Sequence, residues 1–87
     1  MHAVVVHVNI RDFDGSVQEL QTTVVPRVSQ APGFVAGYWT RKDDTGMSMT
    51  VWESEDAANQ ARERLTQNMP QGVELQNSEV REVVASA

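Results

Sequence analysis

The span from Gly33 to Trp52, GFVAGYWTRKDDTGMSMTVW, constrains this chain more than any other. Two runs rich in β-branched and aromatic residues flank the polar cluster Lys42 to Gly46, so the span predicts a β-hairpin at the centre of a small sheet. Asp44-Thr45-Gly46 supplies a polar tip and a glycine free to take positive φ, which puts the reversal there. In the returning strand Met47, Met49 and Val51 share one face, and Ser48, Thr50 and Trp52 the other. The outgoing strand is ambiguous: Phe34, Ala36, Tyr38 and Thr40 oppose Val35, Gly37, Trp39 and Arg41, and each set carries an aromatic ring.

Other elements arrange themselves around this hairpin. Residues 3–10, AVVVHVNI, alternate so that Val4, Val6, Val8 and Ile10 line one face and Val5, His7 and Asn9 the other, which predicts a strand. Ser16-Val17-Gln18-Glu19 fits the capping box, in which the serine oxygen accepts from the third helical residue and the glutamate reaches back. A helix follows, with Val17, Leu20, Val24 and Val28 as its apolar stripe and Gln18, Gln21, Arg27 and Gln30 turned outward. Pro26 lacks an N–H and its ring crowds the Thr22 carbonyl, so it predicts a kink or an early end at a local cost of roughly 3 kcal/mol. Pro32-Gly33 stops the helix in any case.

Beyond the hairpin, Ser54-Glu55-Asp56 reads as a cap with two acids in the first helical turn. Ala57, Ala58, Ala61 and Leu65 form a narrow stripe that lets the second helix sit close to its support, while Arg62, Glu63 and Arg64 face solvent. Met69-Pro70-Gln71-Gly72 closes it. A last strand spans Glu79 to Ala85, with Val80 and Val84 opposed to Arg81 and Val83, and residues 73–78 are either loop or an extension of it.

The order is β-α-β-β-α-β, which predicts an α+β, ferredoxin-like single domain over residues 1–87: an antiparallel four-stranded sheet with both helices on one face. The bare face is expected to carry Val5, His7, Asn9, Ser48, Thr50, Trp52, Trp39 and Val83, over roughly 300 Å². Much of it is apolar, so a second copy is its expected cover. An 87-residue chain buries only about two-thirds of its unfolded surface, which adds to the case for a homodimer.

Composition removes several classes of function. Twelve acidic against seven basic residues leave a formal charge of −5, so the attraction that draws proteins to nucleic acid or anionic lipid is missing. There is no cysteine, hence no disulfide, thiolate nucleophile or Cys-ligated zinc. The run Ala3 to Val8 is interrupted by His7 and preceded by no basic residue, so it is neither signal peptide nor membrane span, and a cytoplasmic location is expected. His2 and His7 have no third metal ligand near them in sequence. His7 reads either as a general base or as an imidazole buried at the dimer junction, and Asn9 either as an orienting group or as a partner for backbone. Trp39 and Trp52 read as stacking surfaces for a flat molecule or as core, Trp52 more as core because it directly precedes the helix cap.

Ala31-Pro32-Gly33-Phe34-Val35-Ala36-Gly37-Tyr38-Trp39, followed after the turn by Thr50-Val51-Trp52-Glu53-Ser54-Glu55-Asp56-Ala57-Ala58, resembles the pattern of the antibiotic biosynthesis monooxygenase family of the dimeric α/β-barrel superfamily. The resemblance implies a homodimer whose sheets form a barrel. It also implies a cofactor-independent monooxygenase acting on a small hydrophobic or aromatic molecule, with Asn9, Trp39, Trp52 and Arg81 as substrate contacts. In that scheme the ionised substrate itself reacts with oxygen, and His7 or Asn9 assists deprotonation or holds the oxyanion. Haem-degrading relatives carry a tryptophan and a haem-ligating histidine on or after the second helix. Ser54 to Met69 offers neither, so no cofactor is expected. The alternative is a non-catalytic dimeric module that binds a ligand or partner.

Overall fold

Four strands pair in the order β2-β3-β1-β4, all neighbours antiparallel: β1 is His2–Ile10, β2 Phe34–Lys42, β3 Thr45–Trp52 and β4 Val73–Glu82. The computed structural model describes residues 1–87 except Asp12, Asn68, Pro70 and Gln71 and the side chains of Phe13 and Ser16. Two helices cover one face. The first, α1, runs through α-helical Phe13–Glu19, π-helical Leu20–Val24 and α-helical Val25–Ser29; the second, α2, is Glu55–Gln67. This is the α+β architecture expected, and its element order is compatible with the ferredoxin-like fold.

The core lies between sheet and helices, where Val4 and Val6 of β1 and Trp52 of β3 meet Val28 of α1 and Ala58 and Ala61 of α2. Ala58 is fully buried, as the small-residue stripe predicts, and Gly33 continues this close approach: a Cβ there would lie 2.9 Å from that of Ala57. Gly33 has φ +84°, and its carbonyl accepts from the Glu53 N–H at 2.8 Å, tying the start of β2 to the end of β3. Ser54 caps α2 as expected, its Oγ accepting from the Ala57 N–H at 3.1 Å. Ser54→Ala should cost about 1 kcal/mol, read as a melting temperature lower by roughly 5 °C.

Several expectations need correction. The first helix starts at Phe13, before the predicted cap, and the Ser16 side chain of the capping box lies outside the described residues, as do Pro70 and Gln71 of the predicted stop after α2. Pro26 does not end the helix. The π turn immediately before it, closed by the Val25 N–H donating to the Leu20 carbonyl five residues back, widens the coil where an α turn would press the proline ring on Thr22. The hairpin reverses at Asp43-Asp44, with Asp43 at φ +55°, a conformation a short polar side chain tolerates. Gly46 lies instead within β3, where a Cβ would come within 2.9 Å of Val8 Cγ2 and 3.2 Å of Ile10 Cδ1. Arg62 is not purely a solvent residue: its guanidinium donates to Ser78 Oγ at 3.0 Å and to the Ser78 carbonyl at 3.1 Å, lacing α2 to β4.

The sheet faces also differ from expectation. Val5 pairs with Met49 and His7 with Met47, so the uncovered face carries Ala3, Val5, His7 and Asn9 beside Met47, Met49 and Val51, with Tyr38 opposite Met49. Ser48, Thr50 and Trp52 face the helices, and so does Trp39, paired with Ser48. Burial drives this inversion. Trp52 supplies more apolar area than any methionine, packs edge-on against Phe34 at 5.5 Å, and donates from Nε1 to Thr50 Oγ1 at 2.9 Å. That bond lets Thr50 be buried without an unmet hydroxyl. The last strand ends at Glu82, before Val83 and Val84, and includes residues 73–78.

Candidate functional site

A cavity of about 280 Å³ lies between the sheet and the helices. Its floor is Val6, Val8 and Ile10 of β1 with Gly46 and Ser48 of β3, and Trp39 forms part of its wall. Gly46 is needed here because any side chain would project into the Val8 and Ile10 contacts that shape the floor. Trp39 depends on a second glycine: a Cβ on Gly37 would stand 3.0 Å from the indole ring, so only a bare backbone leaves room for the ring there.

The roof comes from α1, through Val17, Leu20, Gln21, Val24 and Val25, with Leu65 and Met69 closing the side. Gln21, Val24 and Val25 belong to the π turn or its first residue beyond. Val17, Leu20, Gln21, Val24 and Val25 recur at the three- and four-residue spacing of one helix face, so α1 presents all five to the cavity. The lining is therefore apolar apart from Gln21, Thr40, Arg41 and Ser48, which is the usual make-up of a site for a hydrophobic ligand fixed by a few polar contacts.

A smaller slot of about 120 Å³ opens between α1 and α2, lined by Val28, Ala31, Trp52 and Ala61 with Arg27 and Arg64. Val24 and Leu65 line both spaces.

The residues singled out from sequence do not converge. Trp39 lines the cavity, whereas Trp52 is core and touches only the slot. His7 and Asn9 lie on the uncovered face, in an open groove of about 370 Å³ shared with Lys42, Thr45 and Gln76. The groove and the cavity have Val8, Thr40, Arg41, Gly46 and Met47 in common, so the end of the hairpin separates them. Arg81 is on the uncovered face too, paired with Glu79 at 3.0 Å and remote from both. Leu20, Gln21, Val25 and Ser48 were missed as lining residues; the spacing of Leu20, Gln21 and Val25 from Val17, three, four and eight residues, was the sequence signal that could have found three of them.

Fold and site together define an α+β sandwich of one sheet and two helices with an apolar interlayer cavity. The chain matches no protein-family profile, and no curated protein is similar to it. Among the described residues no helix is long and apolar enough to cross a membrane, and no three acidic or imidazole groups gather to hold a metal ion.

Proposed function

We propose that this chain binds a small hydrophobic or aromatic molecule in the interlayer cavity, works as a homodimer, and oxidises its ligand without a cofactor in the manner of the antibiotic biosynthesis monooxygenases it resembles. The cavity carries the reading: it is nearly ligand-sized, apolar, and walled by a tryptophan that packs over Gly37. The dimer is supported by the uncovered face, where Tyr38, Met47 and Met49 stand exposed beside Val5 and Val51 in one swath across the strands. Two such faces apposed give the α/β barrel.

In this reading Trp39 stacks on the ligand, and Gln21, Ser48 and Arg41 orient its polar edge, with Arg41 favouring the ionised form that reacts with oxygen. His7 and Asn9 sit across the hairpin end, so any part they take is from the dimer side. A second reading, a binding module without chemistry, is favoured by the cavity lining, which among the described residues includes no carboxylate or imidazole to act as base.

Oxygen uptake with a polycyclic phenol, without added flavin or metal, separates the two. The enzyme reading expects uptake that falls at least tenfold in Leu20→Trp, which fills the cavity. Calorimetric binding of the phenol without uptake leaves the module. Uptake unchanged in the folded double variant His7→Ala, Asn9→Ala removes those two side chains from the chemistry.

A further inference from the structure

We infer that the uncovered sheet face binds a soft monovalent metal ion, Cu(I) or Ag(I), between the imidazole of His7 and the thioethers of Met47 and Met49. The site lies across the sheet from the interlayer cavity, so it stands whether or not the cavity takes a ligand.

Strand register brings the three side chains together. His7 of β1 and Met47 of β3 are direct partners in an antiparallel pair, and both line the open groove of about 370 Å³. Side chains opposed in this way start about 5 Å apart at Cβ, so an imidazole nitrogen and a thioether sulfur can close on one ion between them. Met49 comes next on the same face of β3, opposite Val5 and diagonal to His7. A diagonal neighbour stands about 7–8 Å away, within reach of an unbranched side chain with three rotatable bonds.

The chemistry of the set selects the ion. The His7 imidazole is half-buried and makes no hydrogen bond or ion pair among the described residues. Met47 and Met49 are 38% and 39% exposed and stand outside the core. Glu74 and Glu79, the carboxylates that β4 places beside this part of the face, are tied to Arg11 and Arg81, so neither is free to anchor a hard divalent ion. One imidazole with two uncharged thioethers is a soft set. It suits Cu(I), and it serves Zn(II) poorly, because zinc is held by thiolates, carboxylates or several imidazoles.

The test is titration of the intact chain, carrying methyl-labelled methionine, with Ag(I) as an air-stable probe, followed by NMR of its four methionine methyls. Met47 and Met49 are expected to shift together and saturate at one ion per chain, while Met1 and Met69 stay in place and Zn(II) moves none of them. Competition with a chromogenic Cu(I) chelator then gives the affinity. His7→Ala, Met47→Leu and Met49→Leu should each weaken Cu(I) binding by roughly tenfold or more, the low end of what losing even an outer-shell partner of a metal costs. Met47→Leu with Met49→Leu should abolish saturable binding. Leucine keeps the volume and apolar character of methionine, so these variants retain the fold and the dimer contact proposed for the same face, and the loss reads on the metal alone. Shifts spread equally over all four methyls, no shift at all, or a Cu(I) affinity that survives the double methionine variant overturns the site. None of these outcomes touches the cavity reading.

Discussion

Trp52→Ala is expected to strip the fold of most of its stability and leave it only marginally folded at room temperature. The indole is 2% exposed, stands edge-on to Phe34 at 5.5 Å and joins both helices to the sheet. Truncating an aromatic of this kind costs about 3–5 kcal/mol through lost burial and the cavity left behind. A further roughly 1–3 kcal/mol follows because Thr50, 0% exposed, loses the partner of its hydroxyl. A domain of this size is stable by only about 5–10 kcal/mol, so the combined loss consumes most of it. Urea denaturation followed by circular dichroism measures the effect. The double variant Trp52→Phe, Thr50→Val, which keeps an aromatic ring and removes both polar groups, should cost markedly less. A Trp52→Ala protein within about 1 kcal/mol of the parent would show that the core is not organised around this ring.

The second large effect concerns association. Met49 lies mid-sheet on the uncovered face, opposite Val5 on one side and Tyr38 on the other. In the proposed dimer it meets its counterpart region in the second copy. Met49→Asp then buries an unpaired carboxylate at the junction, a cost of several kcal/mol, and the dimer dissociation constant should rise at least a hundredfold. Sedimentation velocity across a concentration series reads this directly, with Met49→Leu as the control that should stay dimeric. The monomer fold should survive, since Met49 is 39% exposed and takes no part in the core. A parent chain that sediments as a monomer at micromolar concentration would remove both the barrel and the dimer side of the proposed site.

Alternation along β1 and the alanine stripe of α2 were readable because they follow one undisturbed period, and the element order followed from them. The faces of β2 and β4 were not, because each strand carries an irregularity that reverses its parity. In β2 the pairing passes from Phe34 with Trp52 to Ala36 with Val51, so Val35 is extra and Phe34 and Trp39 end on the same face despite their odd spacing. In β4 it passes from Asn77 with His7 to Leu75 with Val8, so Gln76 is extra. Val73 and Leu75 before it, and Ser78 and Val80 after it, are then on one side, and a strict period of two finds a strand only from Glu79 onward. The inverted face of β3 has another cause. Met47, Met49 and Val51 are the more uniformly apolar set, but Trp52 needs the interior more than they do.

The candidate site was legible only at Trp39, and even there its face was undecided. Its roof is the face of α1 that carries Val17, Leu20, Gln21, Val24 and Val25. Gln21 and Arg27 read as outward residues and both are exposed, yet Gln21 stands four residues after Val17 and lines the cavity as well. His7 and Asn9 drew notice as polar residues within a valine-rich strand; the structure gives them an open groove rather than the cavity.

Both irregular strands are the outermost ones, β2 and β4, and this bears on how the molecule avoids polymerising. A flat, regular outer strand offers a row of unmet amides on which another chain can lengthen the sheet, which is the first step toward fibrils. An extra residue in each rim bends that row out of line, so lateral growth is discouraged at both ends. Contact between copies is thereby steered away from open-ended stacking and toward closed, countable assemblies.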